Sequence, residues 1–354
     1  MHHARRLLIV LLVTALALGA GIASGRGASA QTTGPTIPVG SQAVGYAVNY
    51  FGAPDITVTA GTTVTFRANS IESHTVTFTD LTPPAGVLPN TPIDLSKPYT
   101  YDGSSYLSTG LYNMTSTNQL FRVSFPKTGA FKYVCAIHPL QTGVVNVAAP
   151  GARTTTQAEI NVISEKTFAD GLAALKAFEP SVATKPVTQT RNTDGSTTWR
   201  VVSVGGQVGP SDLQLFSPAT LAIRAGDTVT WHSDVTAPHT VTFLDGRPVP
   251  VGPAAQAPSS MPLPASYDGT GFLNSGAFGV GRGTQDFMLR FTRAGTFAYV
   301  CAPHVGQGMV ASITVAGTAP LPPATGGAGM LGIDSPLAAA LLVGALRFST
   351  RRIE

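Results

Sequence analysis

Alternation of apolar and polar positions governs most of this chain, in two separate stretches. In the first, Ile56-Thr57-Val58-Thr59 alternates, Ala60-Gly61-Thr62 turns, and Val64-Thr65-Phe66-Arg67 alternates again. Thr75-Val76-Thr77-Phe78 and Phe121-Arg122-Val123-Ser124-Phe125 follow the same rule. Period-two runs broken by Gly and Pro turns predict short strands with one buried face, the pattern of a β-sandwich. The rhythm changes at 157–178, where Ile160, Ile163, Phe168, Leu172, Leu175 and Phe178 can share one face of a helix. Pro180 is expected to stop that helix. From about Thr198 to Val315 the strand pattern returns.

The second stretch repeats the first. Ile56 to Phe66 aligns with Leu221 to Trp231, and His74-Thr75-Val76-Thr77-Phe78 with His239-Thr240-Val241-Thr242-Phe243. Tyr101-Asp102-Gly103 aligns with Tyr267-Asp268-Gly269, and Cys135 with Cys301. A constant offset across so many positions is the mark of a duplicated unit. We therefore expect an all-β chain, with domain 1 over 43–149 and domain 2 over 186–317. A linker over 150–185 carries the helix. Each repeat also holds a long segment, Asp80 to Gln119 and Asp245 to Asp286, expected to be a structural flap or a docking surface.

The ends read differently. Residues 1–30 have a basic start through Arg6, an apolar run from Leu7 to Leu18 and an Ala28-Ser29-Ala30 cleavage pattern, as in a secretory signal peptide. Residues 31–42 are expected to be a flexible segment. The tail from 318 to 354 is rich in Pro and Gly, then apolar, then basic. Pro323-Ala324-Thr325-Gly326 resembles a cell-wall sorting signal of the L-P-x-T-G kind, with Pro322 where Leu is expected. These ends predict export and anchoring at the cell surface, to wall or membrane. They also carry the excess of basic residues behind the formal charge of +4, so the body is near neutral and no nucleic-acid-binding patch is expected.

Composition matters most at its rarest residues. The chain has 2 Cys and 7 His. Each Cys opens a C-x-x-H: Cys135-Ala136-Ile137-His138 and Cys301-Ala302-Pro303-His304. Thiol, imidazole and thioether are the donors that suit copper. Four of the five His outside the signal fall at equivalent positions of the repeats: His74, His138, His239 and His304. His232 is left over and is expected to face solvent or a loop. A disulfide between Cys135 and Cys301 is the alternative use of the thiols. It would not require a His three residues after each Cys.

Both repeats resemble cupredoxins of the plastocyanin, amicyanin and pseudoazurin group, over roughly Ile56 to Val147 and Leu221 to Val315. The resemblance implies two Greek-key β-sandwiches, each with a type 1 copper ion. In the second, Cys301 to Met309 has the plastocyanin spacing. That implies His239, Cys301 and His304 in the ligand plane with Met309 axial. The first has the shorter amicyanin-like loop, which implies His74, Cys135 and His138 with Gln141 where that family places Met. The expected function is single-electron transfer between unidentified redox proteins, with copper capture or storage as the alternative. An oxidase or nitrite reductase would need H-x-H pairs or a His beside the Cys, and the chain has neither.

Overall fold

The computed structural model describes residues 33–78, 91–201 and 203–317. The expected signal peptide, the tail beyond 317 and part of the first long segment lie outside the described residues. Two compact units are present. The first contains the described residues up to Gly40 and Tyr50–Ala169; the second contains Ser41–Asn49 and the described residues from Asp170 on.

The chain begins with β1 (Thr33–Ala43), β2 (Tyr46–Phe51), β3 (Asp55–Thr59), β4 (Thr63–Ala68) and β5 (Thr77–Phe78). Then come β6 (Tyr99–Thr100), β7 (Leu107–Ser108), β8 (Leu120–Ser124), β9 (Gly129–Val134) and β10 (Thr142–Ala148). In unit 1, β1 pairs parallel with β4, β4 antiparallel with β8, and β6 parallel with β8. The facing sheet has the order β3-β10-β9-β5-β7. Alternate residues of both sheets meet in one core. Ile37, Val39, Val64, Phe66, Phe121 and Val123 come from one sheet and Ile56, Val58, Phe78, Tyr133 and Val145 from the other. Tyr101, from the long segment, stacks on Phe78 with ring centroids 4.3 Å apart. Each such buried side chain contributes about 1.5–3 kcal/mol relative to exposure.

Residues 33–42, expected to be flexible, are instead part of β1. Pro35 and Pro38 each remove a donor. Ile37 and Val39 are nevertheless fully buried, and the register Ile37↔Phe66 and Val39↔Ala68 holds the strand. The helix α1 (Gln157–Ala183) also departs from expectation, because it runs through Pro180. Proline costs one helix hydrogen bond. Its own carbonyl still accepts the Thr184 N–H at 3.1 Å, and Val182 is buried to hold the last turn. Ile163 lies exposed while Ile160 and Leu175 are fully buried, so the buried stripe is narrower than the pattern suggested.

Unit 2 continues with β11 (Thr188–Arg191), β12 (Thr197–Val201), β13 (Ser203–Val208), β14 (Ser211–Ser217), β15 (Thr220–Arg224) and β16 (Thr228–His232). It ends with β17 (Thr242–Phe243), β18 (Ser266–Tyr267), β19 (Leu273–Asn274), β20 (Asp286–Phe291), β21 (Gly295–Val300) and β22 (Val310–Ala316). Its sheets have the orders β11-β12-β16-β20-β18 and β15-β22-β21-β17-β19. The hairpin β13–β14 is added, and Leu213 and Asp212 pair with Tyr46 and Ala47. Trp231 sits at the centre of the core, fully buried, its Nε1–H donating to the Tyr299 hydroxyl at 3.1 Å. Each unit is thus a two-sheet sandwich, and the described residues are all-β apart from α1, the short helix α2 (Pro253–Gln256), a 3-10 turn at Val305–Gln307 and loops. No helix among the described residues is long and apolar enough to cross a membrane.

Candidate metal centres

In each unit the loop after the penultimate long strand folds back on the start of the H-T-V-T-F segment. In unit 2 that loop follows β21. The Cys301 N–H donates to the Met309 carbonyl at 3.0 Å and the His304 N–H to the Cys301 carbonyl at 3.0 Å. In unit 1 the loop follows β9 and is two residues shorter. The Cys135 N–H donates to the Gln141 carbonyl at 2.9 Å and the Gln141 N–H to the His138 carbonyl at 3.2 Å. Both loops turn back through a left-handed residue placed just before the last candidate ligand. It is Gly308 at φ 90° in one and Leu140 at φ 70° in the other. Glycine adopts that conformation freely, whereas leucine is strained in it.

The upstream histidine is pinned from the long segment. His74 forms an isolated bridge with Tyr112 and His239 with Phe278. The segment therefore has a structural task in both repeats.

The side chains converge. His74, Cys135 and His138 form one buried group, and His239, Cys301 and His304 another. Within each, the donor atoms lie within 4.8 Å of one another. Cys301 Sγ is 3.3 Å from His304 Nδ1 and 3.7 Å from His239 Nδ1, and the two Nδ1 atoms are 3.1 Å apart. Cys135 Sγ is 3.4 Å from His138 Nδ1. Bonds of about 2.0–2.3 Å to one first-row metal ion would put trigonal donors roughly 3.5–4 Å apart. The second triangle and the Cys135–His138 edge of the first are close to that size, and the soft sulfur with two imidazoles fits copper. Both cysteines are free. The leftover His232 is not in either group; its Nδ1 lies 2.7 Å from Asp286 Oδ1.

The fourth positions differ. Gln141 is fully buried, with Oε1 3.1 Å from His74 Nδ1, so its amide oxygen faces the first group. Met309 is fully buried in the unit 2 core.

Burial tunes the donors. Desolvation holds the His74 imidazole below its ordinary value, which keeps it neutral and able to ligate, although Glu72 and Gln141 oppose the shift. Desolvation also pushes the Cys135 thiol up, against hydrogen bonds from nearby N–H groups. A bound metal ion would reverse that preference and favour the thiolate.

Two kinds of supporting residue were not among the candidates above. One is the threonine after each upstream histidine. The Thr75 N–H donates to Cys135 Sγ at 3.3 Å, while its hydroxyl accepts the Ala136 N–H at 2.7 Å. Thr240 does the same for Cys301 at 3.4 Å and Ala302 at 2.9 Å. The repetition of H-T-V-T-F was the trace of this role. The other is a glycine against the far side of the imidazole. A Cβ on Gly40 or Gly205 would lie 2.3 Å from Nε2 of His74 or His239.

Comparison with known proteins bears on the second repeat. A family model described as "Copper binding proteins, plastocyanin/azurin family" matches residues 202–316. Plastocyanin of Scenedesmus fuscus is 35% identical over 101 residues, which cover 28% of this chain and 86% of that protein. The chain belongs to the plastocyanin/azurin family. Chloroplastic plastocyanin of Tetradesmus obliquus is 36% identical over 101 residues, 28% of this chain and 58% of its own length. Among solved structures, a point mutant of amicyanin in its Cu(I) form aligns at 20% identity, with a TM-score of 0.23. That alignment covers 37% of this chain and 100% of the amicyanin. The family model and the plastocyanin matches together mark a cupredoxin-like protein of the copper-binding kind.

Proposed function

We propose that this plastocyanin/azurin family member is an exported blue copper protein that carries single electrons, with one type 1 ion in each unit. His74, Cys135, His138 and Gln141 would hold the first ion, and His239, Cys301, His304 and Met309 the second. The observation that carries this reading is the pair of buried His–Cys–His groups, each with its donor atoms within 4.8 Å. Bound copper would supply the one-electron chemistry. The chain's part is to hold the donors still. The Thr75 and Thr240 amides aim at sulfur, Gly40 and Gly205 back the imidazoles, and burial keeps water from the ligands. Donors fixed in this way need little rearrangement when the charge on the ion changes.

The reading is non-enzymatic. A catalytic copper would need further histidines, and His232 is engaged with Asp286 on β16–β20. Partners would be a redox donor and an acceptor, met outside the cell, with the C-terminal tail as anchor. A second reading, a copper store, has one observation in its favour. His138 and His304 are only 3% and 1% exposed, so neither imidazole edge is open to a partner.

Copper titration with visible spectroscopy tests the main reading. We expect two ions per chain with an intense thiolate-to-copper band, and one ion in each of Cys135→Ser and Cys301→Ser. A Cu(II)-loaded chain without that band overturns it. Electron self-exchange then separates carrier from store, since a store exchanges slowly.

A further inference from the structure

The two candidate sites share their His–Cys–His group but not its surroundings. Around the first stand Ser70, Glu72, Tyr112 and Gln141. At the corresponding positions of the second stand Val235, Ala237, Phe278 and Met309. Each polar group of the first site is replaced by an apolar one. Glu72 is the only one of these that carries a charge. It is 7% exposed, and its Oε1 lies 3.8 Å from Nε2 of His138, itself 3% exposed. Ala237, its counterpart, is also buried, at 3%, and brings no charge to His304.

We propose that Glu72 is a positioning and charge-setting residue of the first site, acting on His138 from the side of the ring opposite the thiol. The inference rests on the copper reading above. An imidazole has its nitrogens on different edges. His138 turns Nδ1 to Cys135 Sγ at 3.4 Å and Nε2 to the Glu72 carboxylate. A carboxylate beside Nε2 favours the tautomer with the proton there, which leaves the Nδ1 lone pair for a metal ion and makes it more basic. At 3.8 Å the contact is an ion-pair distance rather than a short hydrogen bond, so charge is the larger part of its effect. Burial keeps water from screening that charge. A negative charge on this side stabilises the more highly charged oxidation state. Glu72 therefore biases the first site toward Cu(II), in the same direction as the amide oxygen of Gln141. A buried carboxylate destabilises a fold unless something faces it. Here it faces the second imidazole of the metal group.

The test uses the full chain with Cys301→Ser, so that only the first site keeps its thiolate. The Cu(II)-loaded protein is titrated to obtain its reduction potential, with the thiolate-to-copper band as the signal. Adding Glu72→Gln, which keeps the shape and removes the charge, should preserve the band. It should lower the Cu(II) to Cu(I) ratio at a fixed poise roughly tenfold, about 59 mV for a one-electron couple. Glu72→Asp should stay near the parent. An unchanged potential in Glu72→Gln overturns the proposal. If Glu72→Gln does not fold, Ala237→Glu in the Cys135→Ser chain decides. A shift toward Cu(II) supports the proposal, and no shift overturns it. Failure of the copper reading looks different: the parent itself would show no band, and the proposal would fall with it.

Discussion

At Gly205 the backbone takes φ 79°, and a Cβ there would reach within 2.3 Å of His239 Nε2. The imidazole is fully buried and has no room to retreat. Gly205→Ala should therefore cost about 2 kcal/mol or more through strain and overpacking. It should also weaken copper binding at the second site alone. Denaturant melts and copper stoichiometry check this; wild-type stability with two ions bound would show that the glycine is not needed. Asp227 is a second single-residue case. Its buried carboxylate accepts the Thr197 N–H at 2.7 Å, the Trp199 Nε1–H at 2.9 Å and the Arg224 N–H at 3.0 Å. Asp227→Ala leaves three donors without their acceptor and should destabilise unit 2 by about 2–4 kcal/mol in urea titration. Residue type explains what the sequence made legible here. Cysteine and histidine are scarce, so their spacing is informative. Gly205, Thr240, Asp227 and Glu72 are common types, and their roles exist only where the fold brings a partner to them.

Strands were easier to read than their limits. Alternation located β3, β4 and β8 because one face of each is buried, and the repeat carried that reading over to β15 and β16. β1 was hidden by Pro35 and Pro38, and Pro180 set the expected end of α1 short of its observed end at Ala183. Composition suggests a break in such places, and only burial overrules it. The start of α1 had a readable signal in Thr156-Gln157-Ala158-Glu159. The Thr156 N–H donates to Glu159 Oε2 at 2.8 Å and the Glu159 N–H to Thr156 Oγ1 at 3.2 Å, a reciprocal capping box. Thr156→Ala should cost about 1 kcal/mol. The cap also has a pH signature. Hydrogen bonds from the Thr156 amide and hydroxyl, with Arg153 nearby, hold the Glu159 carboxyl below its ordinary range. A depressed carboxylate stabilises the fold above its unfolded value of about 4.3 and loses that effect as pH falls through the folded value. The gap in melting temperature between wild type and Glu159→Ala should thus be full at pH 7 and close toward pH 3. A gap that stays constant with pH would remove the charged cap from the account.

Among the described residues the same sandwich recurs, and the two metal groups sit in different surroundings. The offset between repeats carried this information, together with the two C-x-x-H loops. The polar character of the first site was visible only in Gln141. With copper in both groups, the expected consequence is a difference in potential. The first site, with Gln141 and Glu72, should titrate lower than the second, with Met309 and Ala237. Redox titration of Cys301→Ser against Cys135→Ser measures the two separately. Equal potentials would leave no driving force for an electron to pass from the first site to the second. The chain also contains no disulfide among the described residues, and each unit has one thiol, 5% exposed at Cys135 and fully buried at Cys301. A lone thiol in air is open to oxidation in proportion to its exposure and its thiolate character. Exposure is low at both, and at Cys135 burial also pushes the thiol up. Burial of this kind should shield the sulfur from oxidation and keep it available until a metal ion arrives.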